Sequence, residues 1–166
     1  MSTTRTPAGT ATAVRSTLDE DAKAVVQRKL QPLLVDLVDL SITGKQLHWN
    51  VIGDNFKPLH EHLDEVVDQY RNWSDDVAER LTSIGVPPDG RLQRVAGDSP
   101  ANPAPEGWTH QTDVVAEMSD RIEAVARATR ERLDGLGEVD LASEDLLIEI
   151  LDGLEMQLWM FSAQQA

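Results

Sequence analysis

Two pairs of metal-binding side chains stand four residues apart within one helical stretch of this sequence. His60 and Asp64 form the first pair, and Asp75 and Glu79 form the second. A four-residue spacing places both members of a pair on one helix face. The separation from Asp64 to Asp75 corresponds to about three helical turns. Both pairs therefore share one stripe of the same helix.

The two pairs are too far apart to bind one metal ion within a single chain. At about 1.5 Å per residue they lie roughly 16 Å apart along the axis, whereas such ligands approach a metal to about 2.0–2.2 Å. A second copy of the helix, antiparallel and related by a two-fold axis, would bring the pairs together. His60 and Asp64 would then face the partner's Asp75 and Glu79, with Tyr70 near the axis. The spacing predicts a metal site at a dimer interface.

His48 adds a fifth candidate ligand from the end of the preceding helical segment. A turn at Gly53 lets this segment fold back beside the start of the next helix, and we expect Trp49 to be packed there. Two imidazoles and three carboxylates without sulfur suit iron(II), manganese or zinc, and they do not choose among these metals. A single carboxylate on a helix face usually contacts only water and binds no metal. The prediction therefore rests on all five candidate ligands together. Its members are His48, His60, Asp64, Asp75 and Glu79.

Length, charge and composition limit the possible classes of protein. The 166 residues suit one domain with a sizeable core. The absence of cysteine excludes disulfides and thiolate metal sites. A formal net charge of −14 opposes a broadly basic nucleic-acid-binding face. Residues 33–42 are the most apolar stretch and fall far short of the roughly 20 residues of a membrane span. With no apolar run in residues 1–17, we expect a cytoplasmic protein, nucleoid association being an open alternative.

Apolar periodicity predicts four long helices and no strands. Helix A runs from about Asp19, capped by Ser16 or Thr17, to Trp49, with Pro32 marking a bend or a break into two helices. Helices B, C and D cover about 56–84, 112–136 and 142–162. The crossover between B and C spans roughly 85–111 and carries a short helix near 91–96.

This order of elements predicts an all-α fold, a ferritin-like four-helix bundle with one long crossover. An all-helical adaptor is the alternative. We expect residues 18–166 to form the bundle domain and residues 1–17 to form a flexible N-terminal tail. The metal site common inside such bundles uses Glu-x-x-His motifs, and the sequence contains none. The prediction of an interface site is thereby favoured.

Three runs of the sequence form a recognisable pattern: Lys45–Phe56 (KQLHWNVIGDNF), Leu59–Asp64 (LHEHLD) and Asp75–Arg80 (DDVAER). Together they resemble the Dps family of miniferritins. Two shorter runs, Asp140–Leu147 and Leu158–Trp159, extend the resemblance to roughly residues 20–163. Trp49 resembles a tryptophan that is proposed to act in electron transfer in that family, and simple packing is the alternative.

The resemblance implies a hollow dodecamer assembled from two-fold dimers. Family members oxidise Fe(II) at centres in the dimer interfaces, preferentially with hydrogen peroxide, and store the ferric product, which protects the cell from oxidative stress. Iron is the implied metal, and no organic cofactor is implied. By position, His48, His60 and Asp64 come from one subunit and Asp75 and Glu79 from its partner. The spacing divides the ligands between the helix B pairs in the same way.

Further acidic residues gain possible roles from the resemblance. Twelve chains of charge −14 would form an acidic shell that concentrates cations. Asp140, Glu144 and Asp145 lie near the place of the family's acidic three-fold pore, although they could simply cap helix D. Glu61 and Asp68 are candidates for nucleating mineral on the cavity wall.

Two other functions are open on the sequence alone. The first is DNA binding and protection, found in part of the family, for which the tail offers only Arg5 and Arg15 and the C-terminus offers no basic extension. Alternatively, those arginines belong to a merely solvated terminus. The second is metal-dependent hydrolysis at the same ligands, for which no dedicated nucleophile is evident.

Overall fold

Five helices carry most of the chain in the computed structural model, which describes residues 14–165. A two-stranded parallel pair and a final 3-10 turn at Ala163–Gln165 complete the described elements. Helices α1, α2, α4 and α5 form the bundle, and α3 lies in the crossover, so the predicted all-α ferritin-like fold is confirmed. The elements are α1 (Glu20–Asn50), β1 (Val51–Ile52), α2 (Phe56–Ser83), α3 (Leu92–Asp98), β2 (Thr109–His110), α4 (Gln111–Arg132) and α5 (Leu141–Ser162).

Helix α1 is continuous through Pro32, so the alternative of two shorter helices is wrong. Pro32 is exposed, so water can solvate the carbonyl that its missing N–H leaves without a donor. The expected cap at Ser16 or Thr17 is also wrong. Asp19 is the N-cap, and its carboxylate accepts from the Ala22 N–H at 2.8 Å. A carboxylate is favoured at this position because it also meets the positive end of the helix dipole.

Two hairpins, α1–α2 and α4–α5, enclose the hydrophobic core. Helix α2 turns one apolar face into this core and keeps its opposite face in solvent, because its apolar residues recur every three or four positions. The fully buried side chains of the core include Leu30, Leu33, Leu37, Leu40, Leu47, Leu59, Leu63, Leu81, Met118, Ile122 and Phe161.

Tyr70 belongs to this core, and its expected position near a dimer axis stays a prediction. The ring is fully buried, and its hydroxyl has no hydrogen-bond partner among the described residues. Burial raises the pKa of the phenol. Tyr70 follows Asp64 by six residues, which is about 240° around the helix. The helix face that carries His60, Asp64, Asp75 and Glu79 is called the ligand stripe below. Its mid-point is therefore occupied by side chains other than Tyr70.

Ion pairs between α1 and α4 explain the two acids that interrupt the most apolar stretch of the chain. Asp36 lies 2.7 Å from the Arg132 guanidinium, and Asp39 lies 3.3 Å from that of Arg121. Burial raises the pKa of both carboxyls, and the arginines partly offset this effect. Buried acids need such partners, so the pairs fix α4 against α1.

A short strand pair joins the α1–α2 turn to the start of α4. β1 runs parallel to β2, with Val51 opposite Thr109. Two-residue strands produce no alternating pattern, and the sequence therefore did not predict them. Beside them, Gly53 has φ +130°, and a Cβ there would lie 2.8 Å from the Gln111 side chain. Gln111 accepts from the Asn55 N–H, so the turn is fixed where α2 begins.

The helix ends otherwise follow the predicted stops. α2 ends at Ser83, where Gly85 adopts φ +84° and donates its N–H to Thr82 at 2.9 Å. α4 ends at Arg132 rather than near Leu136, because turns extend to Val139 and Gly135 adopts φ +68°. No helix in the described range is both long and apolar enough to cross a membrane. Residues 1–13 of the predicted tail lie outside the described range.

Candidate metal centre

The α1–α2 hairpin brings His48 and His60 into direct contact. His48 lies in the last turn of α1 and is 6% exposed, and His60 lies in the second turn of α2. Their rings stack with centroids 3.7 Å apart and an interplanar angle of 21°. Phe56 lies against His60, with ring centroids 5.1 Å apart. The tight turn after α1 therefore gathers two imidazoles from different helices at one point.

Each imidazole is held by the backbone carbonyl of the other residue. The Nδ1–H of His48 donates to the carbonyl of His60 at 2.9 Å, and the Nδ1–H of His60 donates to the carbonyl of His48 at 3.0 Å. Because a carbonyl oxygen only accepts, Nδ1 carries the proton in each ring. The neutral ring then has its lone pair on Nε2, which is the form that binds a metal. The reciprocal bonds prepare both rings as ligands.

Asp64 lies beside the two histidines and is paired with Lys45. Its carboxylate lies 3.6 Å from His48 Nδ1 and accepts a hydrogen bond from the Lys45 ammonium. The bond from Lys45 lowers the pKa of Asp64, and the nearby imidazoles act in the same direction. Asp64 therefore stays ionised, and a cation from the same chain neutralises its carboxylate. A metal ion bound by Asp64 would compete with Lys45.

Trp49 does not lie in the packed setting that we expected. Its indole is 64% exposed, although His48 beside it is buried. Adjacent helix residues point about 100° apart, so one enters the hairpin while the other faces outward. Packing within the chain therefore does not account for Trp49.

Asp75 and Glu79 lie on the exposed face of α2, away from the histidines. Both are solvent-exposed, with Leu34 of α1 and Pro88 of the crossover near Asp75. Among residues 14–165, no three His, Asp or Glu side chains are grouped closely enough to hold a metal ion. The chain therefore presents two incomplete halves of the predicted site.

The acids predicted for a pore have distinct environments. Asp140 is the N-cap of α5, accepting from the Ser143 N–H at 3.1 Å and from Arg80 at 2.5 Å. Burial raises the pKa of Asp140, but the bonds from Ser143 and Arg80 outweigh that effect and lower it overall. Glu144 folds against the backbone of Gly137, and Asp145 is exposed. The capping interpretation thus describes Asp140, and its pore role stays a prediction.

The two predicted nucleation residues are exposed on α2. Glu61 lies 3.5 Å from Lys57, and Asp68 lies 3.3 Å from Arg71. Exposed ion pairs of this kind contribute little stability, so both carboxylates remain accessible. Their role in mineral formation stays a prediction.

The remaining two histidines have structural partners. His62 stacks on Phe161 with centroids 4.6 Å apart, and its Nε2 lies 3.3 Å from the Gln157 side-chain oxygen. His110 caps α4 by accepting from the Thr112 N–H at 3.4 Å. The neighbouring position of His62 and His60 in the sequence therefore does not mean a shared role.

Sequence reasoning missed Lys45 and the contact between Trp73 and Gly153. Lys45 precedes Trp49 by four residues and His48 by three, so its helical position was a usable signal for its nearness to the site. Gly153 has no such signal. A Cβ at this residue would lie 2.3 Å from the Trp73 ring, so glycine lets α5 approach α2 two residues before Asp75.

Comparisons with known proteins find similar chains over most of the sequence. A family model described as the Ferritin-like domain matches residues 27–166. The "DNA protection during starvation protein 2" of Deinococcus radiodurans is 32% identical over 157 residues, which are 95% of this chain and 65% of that protein. The "DNA protection during starvation protein" of Mycolicibacterium smegmatis is 35% identical over 138 residues, 81% of this chain and 73% of that one. The chain thus spans slightly less than two thirds of the Deinococcus relative.

Solved structures show the same fold. The structure of Dps from Microbacterium arborescens in the high iron form superposes with a TM-score of 0.87 at 34% identity, covering 91% of this chain and 99% of that chain. The Mycobacterium smegmatis Dps in a tetragonal form superposes with a TM-score of 0.86 at 30% identity, covering 94% of each chain.

Replacing Lys45 tests its competition with a metal ion. Lys45→Met removes the ammonium from Asp64, and we expect the affinity for Zn(II) or Co(II) to rise because the competing cation is gone. The rise should be roughly threefold to tenfold, since solvent partly screens a pair whose side chains are 23% and 50% exposed. Titration by calorimetry at low ionic strength measures the change. Lys57→Met is the matched control, since Lys57 is exposed and pairs only loosely with Glu61. Equal affinities in the two variants would show that Lys45 does not compete with the metal ion for Asp64.

Proposed function

Since this chain belongs to the Dps family of ferritin-like proteins, we propose that it oxidises Fe(II) at centres shared between two subunits and stores the ferric product. The reciprocal bonding of His48 and His60 is the observation that carries the proposal. In their neutral form both rings keep Nε2 as the metal-binding atom, and the Asp64 carboxylate lies near the same pair, 3.6 Å from His48 Nδ1. The exposed Asp75 and Glu79 supply the other half from the partner. This donor set suits iron(II).

The charges of the centre favour oxidation of its substrate. Fe(III) gains more than Fe(II) from anionic oxygen donors, so Asp64 with the partner's Asp75 and Glu79 lowers the reduction potential of bound iron. The two imidazoles bind without adding charge. Fe(II) bound by Asp64 would displace the Lys45 ammonium, whose side chain is 23% exposed and has several rotatable bonds through which to move away. Binding and oxidation thus use the same carboxylate.

Hydrogen peroxide is the proposed oxidant. Two Fe(II) ions each give one electron to one peroxide molecule, its O–O bond breaks, and uptake of two protons yields two waters. This two-electron reduction bypasses release of a hydroxyl radical. Trp49 is exposed directly beside His48 in sequence, and we propose that it supplies the second electron to peroxide when only one Fe(II) ion is bound.

The ferric product is proposed to accumulate inside a cage of twelve chains. Each chain carries a formal charge of −14, so such a shell attracts Fe(II) and other cations. Asp145, which is exposed, and Glu144 would provide the charge of an entry pore, while Asp140 fixes the start of α5. Glu61 and Asp68 would offer accessible carboxylates to growing mineral.

DNA protection is a second candidate function because the relatives carry that name. The acidic chain, with a sequence pI of about 4.5, opposes attraction to phosphates. Direct binding would therefore depend on the few cations near the N-terminus, of which Arg15 is exposed. We propose that protection of DNA by this chain arises chiefly from removal of Fe(II) and peroxide.

Mutation of the donor set tests the ferroxidase proposal. His48→Ala and Asp64→Ala should each abolish the fast phase of Fe(II) oxidation by peroxide, because each removes a ligand that no other described side chain replaces. Stopped-flow absorbance of ferric species measures this phase. His62→Gln is the matched control and should retain it, since His62 contacts Phe161 and Gln157 instead. Unchanged rates in both ligand variants would refute the assigned centre.

An electrophoretic gel shift across salt concentrations tests direct DNA binding. We expect no retardation at about 150 mM salt, because an acidic shell with few nearby cations gives little counterion release. A chain lacking residues 1–17 serves as the control and should show no retardation even at low salt. Retardation that survives both the higher salt and the truncation would point to a DNA-binding surface on the bundle and contradict this expectation.

A further inference from the structure

A pair of opposite charges lies midway between the two halves of the proposed metal site. Asp68 and Arg71 both face outward from α2, and their side chains are 75% and 55% exposed. Within the chain their nearest atoms are 3.3 Å apart, a loose contact between residues one turn apart. The ligand stripe is thus not purely acidic, because one cation and one anion stand at its centre.

The positions of these residues match the register of the proposed dimer. At about 100° per residue, Asp64, Asp68, Arg71 and Asp75 fall within one narrow sector of the helix. Three pairings then share a mid-point between Gln69 and Tyr70. They are His60 with Glu79, Asp64 with Asp75, and Asp68 with Arg71. An antiparallel partner that completes the metal sites therefore places its Arg71 opposite Asp68, and its Asp68 opposite Arg71.

We infer that Asp68 and the partner's Arg71 form reciprocal ion pairs across the two-fold axis and set the register in which the metal ligands meet. The inference rests on the proposed function, in which two subunits share each centre. Before metal binds, Asp64 faces the partner's Asp75, and these like charges repel. The central pairs supply attraction between the same two helices. They therefore hold the acidic halves together while the metal positions are still empty of iron.

Apolar side chains beside the stripe identify a second copy of the chain as its occupant. Ile42 and Trp49 are 47% and 64% exposed, and their spacing from Lys45 places all three on one face of α1. Lys45 reaches Asp64 on α2, so this apolar face adjoins the ligand stripe. A surface with central opposite charges and an apolar flank is self-complementary under two-fold symmetry. A helix face that contacts only water would have no need of exposed apolar side chains such as Ile42 and Trp49 beside it.

Charge reversal tests the pairing through the mass of the assembly. Asp68→Arg and Arg71→Asp should each weaken the two-fold contact about tenfold or more, because both central pairs become repulsive. Native mass spectrometry over a dilution series measures the loss. Mixing the two variants should restore the assembly in heterodimers, since each reversed residue then faces an opposite charge. Glu65→Arg, an equal change at an exposed site off the stripe, should have no such effect.

The mixture separates the proposed pairing from an ordinary contact within one helix. If Asp68 and Arg71 act only within their own chain, both variants have lost that contact, and mixing restores nothing. Such a result would overturn the inference. So would unchanged mass in both single variants.

A second measurement tests the same register if the charge-reversal variants fold poorly. The chain has no cysteine, so Asp68→Cys and Arg71→Cys chains can be joined with a short bismaleimide. We expect crosslinked dimers to be more abundant in the mixture than in either variant alone. Equal crosslinking in all three samples would contradict the register.

These readouts are independent of iron oxidation. Wild-type protein that is inert to Fe(II), combined with the expected mass changes, would defeat the proposed function and leave the pairing intact. Wild-type protein that oxidises Fe(II), combined with charge variants whose assembly mass is unchanged, would support the proposed function and overturn the pairing.

Discussion

The rigidity of α2 is the constraint on which the account of this molecule depends. Its helical rise separates Asp64 from Asp75 by roughly 16 Å, and no side-chain rotation closes that distance. The apolar face of the same helix lies in the bundle core, where Leu59, Leu63 and Leu81 are fully buried. The helix therefore cannot bend its two ligand pairs toward each other without leaving the core. In the proposed centre a second molecule would provide the missing half without any change in the fold.

The half-site that belongs to one chain is organised before any metal arrives. The turn at Gly53, the strand pair and Gln111 fix the end of α1 against the start of α2. Reciprocal bonds then orient the imidazoles of His48 and His60 and fix the tautomer of each neutral ring. Such preorganisation reduces the ordering that binding would otherwise require. Lys45 would act in the opposite direction, because its ammonium neutralises Asp64 and has to leave before Asp64 can bind a metal ion.

The sequence predicted the features that follow from spacing along a helix. The four long helices, the stop at Gly85 and the meeting of His48 with His60 all follow from periodicity and turn residues. The side chain of Trp49 was placed wrongly because its position next to His48 in the sequence was considered without the rotation of about 100° between neighbouring helix residues. The cap at Asp19 was missed because Ser and Thr were weighed ahead of Asp, and contacts between distant segments, such as Trp73 with Gly153, leave no local pattern.

Complementation between two inactive variants measures most directly whether the centre is shared. One chain carries His60→Ala with Asp64→Ala, and the other carries Asp75→Ala with Glu79→Ala, so each lacks one half of the site. After unfolding and refolding together in equal amounts, random pairing should complete about a quarter of the sites and restore about a quarter of the fast Fe(II) oxidation. Either variant refolded alone should stay inactive. A mixture as inactive as its components, in dimers shown to be heteromeric, would contradict the shared centre.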